Sequence, residues 1–344
     1  MKILVFEFAT ATGVDDPSYI AEGRAMLCGI LEDLKNFKTY HLISKDSQII
    51  NIQSIPIIVE GNLGEWLKRN IQDYDACLPI APEENNILHD LTLLIEEQGV
   101  IVLGSSSNAV KLTTNKFETY NVLKDRFPII KTEKIYFQDL DQKYNEYYNP
   151  NKDNNLSMVV KPADGVSCLG VMVVNSLNEF MAAQNRIQML TQLPYSIVQD
   201  YIHGISVSVS LLSNGNKAVP LSLNLQNIIL DSCDIKYGGG KVPFKHRLSE
   251  LALETAKNVI ESIGGIRGYV GVDMIIDDDK NMVHIVEINS RLTTAYVALR
   301  KIINFNLGEA ILKTLQGDLP DNVTLNGTIN FYKEGKTLRI SVLK

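Results

Sequence analysis

The sequence predicts an α/β domain followed by an α+β region in which antiparallel strands dominate. Up to about residue 112, short apolar runs typical of strands alternate with stretches of helical spacing, which indicates a parallel sheet covered on both faces. After a polar stretch the pattern changes to short strands and hairpins. A chain of 344 residues has room for two or three domains of this kind.

The alternation begins at the N-terminus. Ile3–Phe6 is a strand-like run followed by turn residues, and a helix is predicted to begin near Pro17. One face of that helix carries Ile20, Gly23, Leu27, Leu31 and Leu34. The later elements of the domain are predicted as strands at Thr39–Ile43, Ala76–Ile80 and Val100–Leu103, with helices around Trp66 and over Leu88–Glu97.

Three loops of this domain contain candidate substrate residues. In open parallel sheets, ligands bind beyond the carboxyl ends of the strands, where Glu7, Glu83 and Ser106 are predicted to lie. Capping of the following helix is an equally good interpretation of Glu83 and Ser106, because acidic residues and serines are enriched at helix starts. Glu7 ends an apolar strand, where a solvated side chain is not expected, and this favours a functional role.

The second half begins after a segment rich in turn formers, Gln138–Asn155, which we interpret as a linker or an exposed excursion. Its first strands are predicted at Met158–Lys161, Val171–Val174, Ser196–Asp200 and Val207–Leu212. A capping box formed by Ser176 and Glu179 opens a helix between the second and third of them. A further helix is predicted over Leu248–Ile263 and is ended by Gly264.

A β-hairpin near the end of the chain carries a candidate metal site. Two apolar runs, Gly268–Ile276 and Met282–Asn289, are separated by five polar residues. If Ile276 pairs with Met282, Asp273 faces Ile285 and lies diagonal to Glu287, with Asn289 on the same face. Two carboxylates and an amide on one otherwise apolar face suit Mg²⁺ or Mn²⁺, although each residue alone would be interpreted as part of an ordinary ion pair.

The polar residues around this hairpin are interpreted as structural. We interpret Asp277–Asp279 as a solvated turn and His284, on the opposite face, as a packed or surface residue rather than a ligand.

A second candidate site follows the strand that ends at Lys161. The loop Asp164–Gly170 is rich in small residues, so its backbone N–H groups could close over a phosphate while the lysine binds it. Such a loop is weak evidence alone, because hairpins also need glycine. Gly335-Lys336 lacks the upstream glycine of a P-loop and is interpreted as a turn.

Composition excludes several classes of protein. With 33 Lys and Arg against 40 Asp and Glu, the net charge of −7 provides no positive field for nucleic acid. No apolar run reaches the length of a membrane span, and the N-terminus lacks the pattern of a signal peptide, so we expect no membrane partner and a cytoplasmic location. The four scattered cysteines, Cys28, Cys77, Cys168 and Cys233, fit a reducing compartment.

Together these motifs resemble the ATP-grasp superfamily of carboxylate–amine ligases, and they follow in that family's order. Asn115-Lys116 and Lys161-Pro162 are similar to its two ATP lysines, and Asp164–Val171 to its phosphate loop. Val198–Gly204 resembles the hinge strand that contacts adenine and ribose. The resemblance implies a Rossmann-like domain at 1–112 and a two-part ATP-grasp module with antiparallel sheets, a small subdomain at 113–195 and a large subdomain at 196–344.

The resemblance also implies roles for individual residues. Arg291 and Lys161 correspond to catalytic groups, and Asp273, Glu287 and Asn289 to metal ligands. The residues implied to bind ATP are Lys116, Lys161, Ser167, Cys168, Gln199, Asp200 and Ile202. Three positions depart from the pattern: His203 and Ile205 replace acidic residues near the ribose, and Leu225 replaces a basic residue.

The implied function is an ATP-dependent ligase that forms an amide from a carboxylate and an amine through an acyl phosphate, with Mg²⁺ or Mn²⁺. Four short segments resemble, more narrowly, the archaeal branch of the family that joins an amine to glutamate in methanofuran biosynthesis. These segments are Phe6–Phe8, Ala81–Glu83, Pro220–Asn224 and Glu287–Thr294. The alternatives are another amino-acid or peptide ligase of the superfamily, or a nucleotide-binding regulator without catalysis. The expected partners are the two small-molecule substrates and, as a possible assembly, a second copy of the chain.

Overall fold

The computed structural model describes residues 1–14, 16–46, 53–140 and 157–343, which form two β-sheets with helices packed on them. The predicted linker Gln138–Asn155 lies outside the described residues from residue 141 onward. None of the helices in the described ranges has the length and apolar character needed to cross a lipid bilayer.

The N-terminal sheet is parallel throughout. Its strands are β1 Lys2–Glu7, β2 Lys38–Ile43, β3 Ile55–Ile58, β4 Ala76–Ile80 and β5 Ile101–Val102, in the order β3-β2-β1-β4-β5. Successive residues of β1 enter two separate cores, with Leu4 and Phe6 on one face and Ile3 and Val5 on the other. Burial on both faces is what a parallel sheet with helical connections requires, and the α/β prediction is confirmed.

The first helices of the chain lie between the strands of this sheet, and the later ones lead on to the second sheet. The helices are α1 Phe8–Thr12, α2 Pro17–Asp33, α3 Leu63–Asn70, α4 Ile87–Glu97, α5 Ser107–Thr114 and α6 Lys116–Leu123, with short 3-10 helices at Ile71–Asp73, Glu84–Asn86 and Phe137–Asp139. Helices α5 and α6 and the last of these 3-10 helices are the ones that lead on to the second sheet. Two elements differ from prediction. The residues after Glu7 form a helix instead of a turn, and Ile55–Ile58, which contains Pro56, adds a strand at the edge of the sheet, where proline is tolerated.

The second sheet is antiparallel, which confirms the predicted α+β region. Its strands are β6 Thr132–Tyr136, β7 Met158–Pro162, β8 Met172–Val174, β9 Tyr195–Asp200, β10 Ile205–Asn214, β11 Ala218–Asp231, β12 Asp234–Val242, β13 Arg267–Asp277, β14 Met282–Asn289, β15 Thr328–Glu334 and β16 Thr337–Leu343. Its helices are α7 Leu177–Gln188, α8 Ser249–Ser262, α9 Ala295–Leu299 and α10 Leu307–Lys313, followed by a 3-10 helix at Thr314–Gln316. The strand order β14-β13-β10-β11-β12-β8-β7-β9-β6 runs without interruption, with β15 and β16 attached beside β12.

The two parts of the antiparallel sheet meet at a narrow seam between β12 and β8. Asp234 pairs with Met172 across it, and backbone hydrogen bonds run from Val173 N–H to Cys233 O (2.8 Å) and from Ile235 N–H to Val171 O (3.0 Å). Helix α7 packs on β7–β9, whereas α8 packs on the broader part formed by β10, β11, β13 and β14. The space enclosed between these two parts is where the candidate site lies.

The hairpin β13–β14 has a different register from the one predicted. Ile276 pairs with Val283 instead of Met282, and an irregularity next to Asp273 leaves Val286 without a partner in the pairing. These two one-residue shifts place Asp273 directly opposite Glu287 instead of Ile285, so the predicted diagonal was wrong. Asp277, predicted as part of a solvated turn, is also buried and accepts a hydrogen bond from Lys280 N–H at 3.0 Å.

Helix α2 joins the two halves of the chain through a buried ion pair. Asp33 at its end accepts hydrogen bonds from Arg300 Nε (2.9 Å) and Nη2 (2.6 Å) and from the Tyr296 hydroxyl. All three side chains lie in or beside the hydrophobic core in which Leu27 and Ile30 of α2 pack with residues of α9 and α10. The N-terminal domain is therefore held against the antiparallel region.

We expect Asp33→Ala to destabilise the whole chain. Removing this carboxylate leaves the Tyr296 hydroxyl buried without its partner and leaves the Arg300 guanidinium only its pair with the exposed Glu32, and breaking a buried pair in this way costs up to about 3–5 kcal/mol. Urea unfolding should show a clear fall in the midpoint. Glu65→Ala, which removes an exposed pair with Lys68, is the control and should change the free energy of unfolding by less than about 1 kcal/mol. Equal midpoints for the two variants would contradict this account.

Candidate active site

One cavity of about 480 Å³ lies between the two parts of the antiparallel sheet. The predicted ATP-binding, metal and catalytic residues all line it: Lys116, Lys161, Ser167, Cys168, Gln199, Asp200, Ile202, Asp273, Glu287, Asn289 and Arg291. They come from segments that are far apart in the sequence, and the fold brings them to one place.

The carboxylates of Asp273 and Glu287 lie side by side in the cavity because the irregular hairpin pairs them directly. Asp273 accepts hydrogen bonds from Asn289 Nδ2 and from Gln226 Nε2, both at 3.1 Å. Glu287 lies 3.2 Å from the Lys116 ammonium. The hairpin therefore supplies two carboxylates and one amide at a single point.

Burial and mutual repulsion act differently on the two carboxyls. Burial, together with repulsion from the neighbouring Glu287 carboxylate, raises the pKa of Asp273 to about 8. Burial also raises the pKa of Glu287, but Lys116 and Lys161 outweigh it and leave that pKa below its usual value. Burial lowers the pKa of Lys161 to about 8, against the attraction of Glu287.

This donor set fits a divalent cation. The oxygens are hard ligands, and a cation of charge +2 would relieve the repulsion that raises the pKa of Asp273. No group of three or more His, Cys, Asp or Glu side chains that could hold a metal occurs in the described ranges. A cation held here would have three protein ligands, from Asp273, Glu287 and the Asn289 amide oxygen. Its remaining coordination positions would be filled by water and substrate oxygens, as is usual for Mg²⁺.

The loop over the cavity is a tight turn at residues 166–169. Ser167 and Cys168 have φ angles of 52° and 61°, and the turn is closed by a hydrogen bond from Leu169 N–H to Val166 O at 2.9 Å. The Lys116 ammonium donates to Gly165 O at 2.7 Å and holds the start of this loop. Burial raises the pKa of Cys168 to about 12, so the side chain over the cavity is a neutral thiol.

The opposite wall comes from the end of β9 and the residues after it. Gln199 is buried and donates to Thr132 Oγ1 at 2.8 Å, whereas Asp200 is exposed at the rim. Ile205 and Leu225, two of the three departures from the family pattern, line the cavity with apolar side chains. His203, the third, stacks edge-on against Tyr201 with ring centroids 4.8 Å apart and is not among the lining residues.

The three predicted substrate residues do not line the cavity. Glu7 caps α1 by accepting from Ala9 N–H (3.0 Å) and Thr10 N–H (2.8 Å), and Ser106 caps α5 by accepting from Ala109 N–H (3.3 Å). These contacts agree with the capping interpretation that was offered for Ser106 and extend it to Glu7, for which a functional role was favoured. Their assignment to substrate stays a prediction.

Glu83 has a different role in the structure. Its carboxylate accepts two hydrogen bonds from Arg291, from Nε and from Nη2, each at 2.7 Å. Arg291 also donates from Nη1 to Leu292 O at 3.0 Å. A loop of the N-terminal domain therefore fixes the orientation of an arginine in the cavity wall of the other half.

A buried polar network supports the same wall from behind, and it includes the Pro220–Asn224 motif. Asn224 Nδ2 donates to Ser210 Oγ at 3.0 Å, Ser210 Oγ bonds Tyr269 Oη at 2.7 Å, and Tyr269 Oη bonds Thr293 Oγ1 at 3.1 Å. Thr293 lines the cavity. The side chain of Thr293 also needs the space left by Gly271, where a Cβ would lie 2.6 Å from the threonine methyl.

Sequence reasoning missed Glu22, which lines the cavity although it lies in the N-terminal domain. Its carboxylate accepts a hydrogen bond from the Thr294 hydroxyl and pairs with the Lys333 ammonium. A single acidic residue within a predicted helix gives no signal for this position, because the contact depends on how α2 packs against the other half of the chain.

The chain matches models of known domain families and is similar in sequence to two ligases. The model of the ATP-grasp domain matches residues 113–295, and that of the pre ATP-grasp 3 domain matches residues 44–110. Tyramine–L-glutamate ligases from Methanocaldococcus fervens and Methanocaldococcus jannaschii are each 32% identical to the chain. The alignments cover 98% of this chain and 99% of the first protein, and 92% of this chain and 90% of the second.

Solved structures show the same fold. An ATP-grasp superfamily protein from Archaeoglobus fulgidus superposes with a TM-score of 0.73 at 24% identity, over 100% of both chains.

We expect Asp273→Asn to weaken binding of Mn²⁺ measured in the presence of ADP, because it removes a charged oxygen ligand. The dissociation constant, followed by the electron paramagnetic resonance of free Mn²⁺, should rise by roughly 10-fold or more. Asp277→Asn changes a buried aspartate of the same hairpin that does not line the cavity, and it is the control. An unchanged Mn²⁺ affinity in Asp273→Asn would exclude this residue as a ligand.

Proposed function

This chain belongs to the ATP-grasp family, and we propose that it is an ATP-dependent carbon–nitrogen ligase that joins tyramine to L-glutamate as γ-glutamyltyramine. The proposed substrates are those named for the two Methanocaldococcus relatives, with which the chain aligns over nearly its full length. The narrower resemblance in the sequence supports the same reaction and a place in methanofuran biosynthesis. The predicted cytoplasmic location and homodimer stay predictions.

The observation that carries the proposal is the convergence of charges in one cavity. Lys116, Lys161 and Arg291 line it together with the adjacent carboxylates of Asp273 and Glu287. Cationic side chains suit the phosphates of ATP, whereas paired, half-buried carboxylates suit the cation that accompanies those phosphates. The cationic side chains and the carboxylates together indicate phosphoryl transfer more strongly than either group does alone.

The chemistry proceeds in two steps in this class of reaction. The substrate carboxylate takes the terminal phosphoryl group of ATP, which gives an acyl phosphate and ADP, and the amine then displaces phosphate to form the amide. Lys116 and Lys161 would neutralise the transferred phosphoryl group, and Arg291, fixed by Glu83, would face the charge that develops on it. When bound by Asp273, Glu287 and Asn289, Mg²⁺ or Mn²⁺ would supply further neutralisation of phosphate charge.

The loop at residues 164–171 would protect the intermediate. Ser167 and Cys168 line the cavity, and closure of this loop over bound substrates would exclude the water that otherwise hydrolyses an acyl phosphate before the amine arrives. The Cys168 thiol is neutral, so it brings no negative charge toward the phosphates.

The test is ADP release by the purified protein with ATP, Mg²⁺ and L-glutamate, with and without tyramine, together with the mass of the product. Release that depends on both substrates, and a product heavier than tyramine by one glutamyl unit, is the expected result. Lys161→Ala should lower kcat/KM by about 100-fold or more, because it removes a cation from the transition state. Lys236→Ala, an exposed lysine, is the control.

Two outcomes of this assay would contradict the proposal. Product formation from other amine and carboxylate pairs, with none from tyramine and glutamate, would favour another ligase of the family. Nucleotide binding without ADP release from any pair of amine and carboxylate would favour the alternative of a nucleotide-binding regulator without catalysis.

We expect Glu83→Gln to reduce kcat while leaving the KM for ATP nearly unchanged. The substitution keeps the side-chain size but removes the charge that holds Arg291, so the loss should be about 10- to 100-fold, the factor for a hydrogen bond between charged groups. Glu97→Gln, at an exposed position of α4, is the control. Full activity in Glu83→Gln would show that the orientation of Arg291 does not depend on this pair.

A further inference from the structure

One charged pair at the cavity remains unused by the nucleotide and metal chemistry. Glu22 of α2 lines the cavity, and its carboxylate accepts from the Thr294 hydroxyl through one oxygen while the Lys333 ammonium contacts the other. The side chains of Glu22 and Lys333 are 13% and 19% exposed, so both charges are largely removed from water.

Glu22 lies at the Arg291 end of the cavity, whereas Lys333 is not among the lining residues and lies next to Glu22. Thr294 follows Arg291 by three residues, and the Lys333 ammonium lies 5.9 Å from the ring centroid of Tyr237, which also lines the cavity. Against burial, which lowers it, the carboxylates of Glu83 and then Glu22 raise the pKa of Arg291, so Glu22 and Arg291 share one electrostatic environment.

The charges of this pair indicate what kind of ligand it can accept. The two charges of the pair are opposite, and a ligand with a single charge would bind one member and separate it from the other in a mostly buried place, which is costly. A ligand with both an ammonium and a carboxylate can exchange partners with the pair and leave every charge matched. A zwitterion therefore fits this wall better than a simple amine such as tyramine.

We propose that Glu22 and Lys333 form a subsite for the charged head of an α-amino acid. Glu22 binds the ammonium in the cavity wall, and Lys333, which lies next to Glu22 outside the lining, binds the α-carboxylate once the ligand has separated the pair. This inference rests on the proposed function, in which glutamate is the carboxylate substrate. The subsite would hold the end of glutamate that does not react and leave the side-chain carboxylate toward Arg291. Only two methylene groups separate the two ends, so the head must be bound near the reacting group, where this pair lies.

A purely structural role is the competing interpretation. Lys333 belongs to β15 of the hairpin Thr328–Leu343, and its pair with Glu22 could simply fasten that hairpin to α2. Charge reversal separates the two interpretations. Exchanging the residues in the double variant E22K/K333E keeps a pair of opposite charges between hairpin and helix, but it presents the wrong charge to each end of the amino acid.

The experiment measures kcat/KM for product formation with tyramine and three carboxylates. These are L-glutamate, glutarate, which lacks the α-ammonium, and 4-aminobutyrate, which lacks the α-carboxylate. We expect the Glu22→Gln variant to lose the preference for glutamate over glutarate. We expect the Lys333→Met variant to lose the preference for glutamate over 4-aminobutyrate. Each preference should fall on the order of 10- to 100-fold, the range for one hydrogen bond to a charged group. The double variant E22K/K333E should stay poor with glutamate.

The controls separate binding from stability. Thermal unfolding of each variant measures the contribution of the pair to the fold, and Glu32→Gln removes a different ion pair of α2, with Arg300, that does not line the cavity. We expect Glu32→Gln to keep both preferences.

Two results would overturn the subsite, and they are distinguishable. If the wild-type protein makes product from tyramine and glutamate, but the variants keep both preferences or E22K/K333E recovers wild-type activity, the pair only fastens the hairpin. If the wild-type protein makes no product from tyramine and glutamate, the proposed function fails and the subsite fails with it.

Discussion

The structure depends on the placement of two half-buried carboxylates, Asp273 and Glu287, directly opposite each other, where burial and mutual repulsion disfavour their charges. Such an arrangement is unfavourable unless positive charge is brought to it. Lys116 begins a helix and Lys161 lies near the end of a strand, both in the smaller part of the antiparallel region, and Glu287 is attracted to both. The attraction between the hairpin and these lysines therefore defines the cavity, because it acts across the space that a substrate would occupy.

The N-terminal domain takes part in the site instead of only being attached to it. Glu83 fixes Arg291, and Glu22 reaches the cavity through α2, which is itself held by the buried pair of Asp33 and Arg300. These contacts come from a domain that precedes the nucleotide-binding segments in the sequence. The N-terminal domain thus contributes one carboxylate to the cavity wall and a second that orients Arg291, whereas the predicted metal ligands come from the antiparallel region.

Much of the fold and of the cavity could be predicted, but the local contacts could not. Alternating strands and helices predicted the parallel sheet, because burial on both faces requires apolar runs of a recognisable length. The pairing of Asp273 with Glu287 was missed, since a one-residue irregularity at Val286 depends on backbone pairing and leaves no mark in an apolar strand. The capping role of Glu7 and the cavity position of Glu22 also depend on how neighbouring segments fold back, which a pattern along one strand or helix does not contain.

The seam between β12 and β8 determines how the cavity can be entered. In the described part of the chain, two backbone hydrogen bonds and the ion pair of Arg186 with Asp234, at 2.5 Å, hold the two halves together at this point. A net value of about 0.5–1.5 kcal/mol for each such bond makes separation of the seam far easier than unfolding of either half. The antiparallel sheet is therefore continuous in its hydrogen bonding at this seam, and a second link between its two parts is the bridge of Ile129 with Ile285, where Ile130 N–H donates to Ile285 O at 3.1 Å. Movement of the two parts at this seam would break few backbone hydrogen bonds and leave the pairing of Asp273 with Glu287 in the β13–β14 hairpin intact.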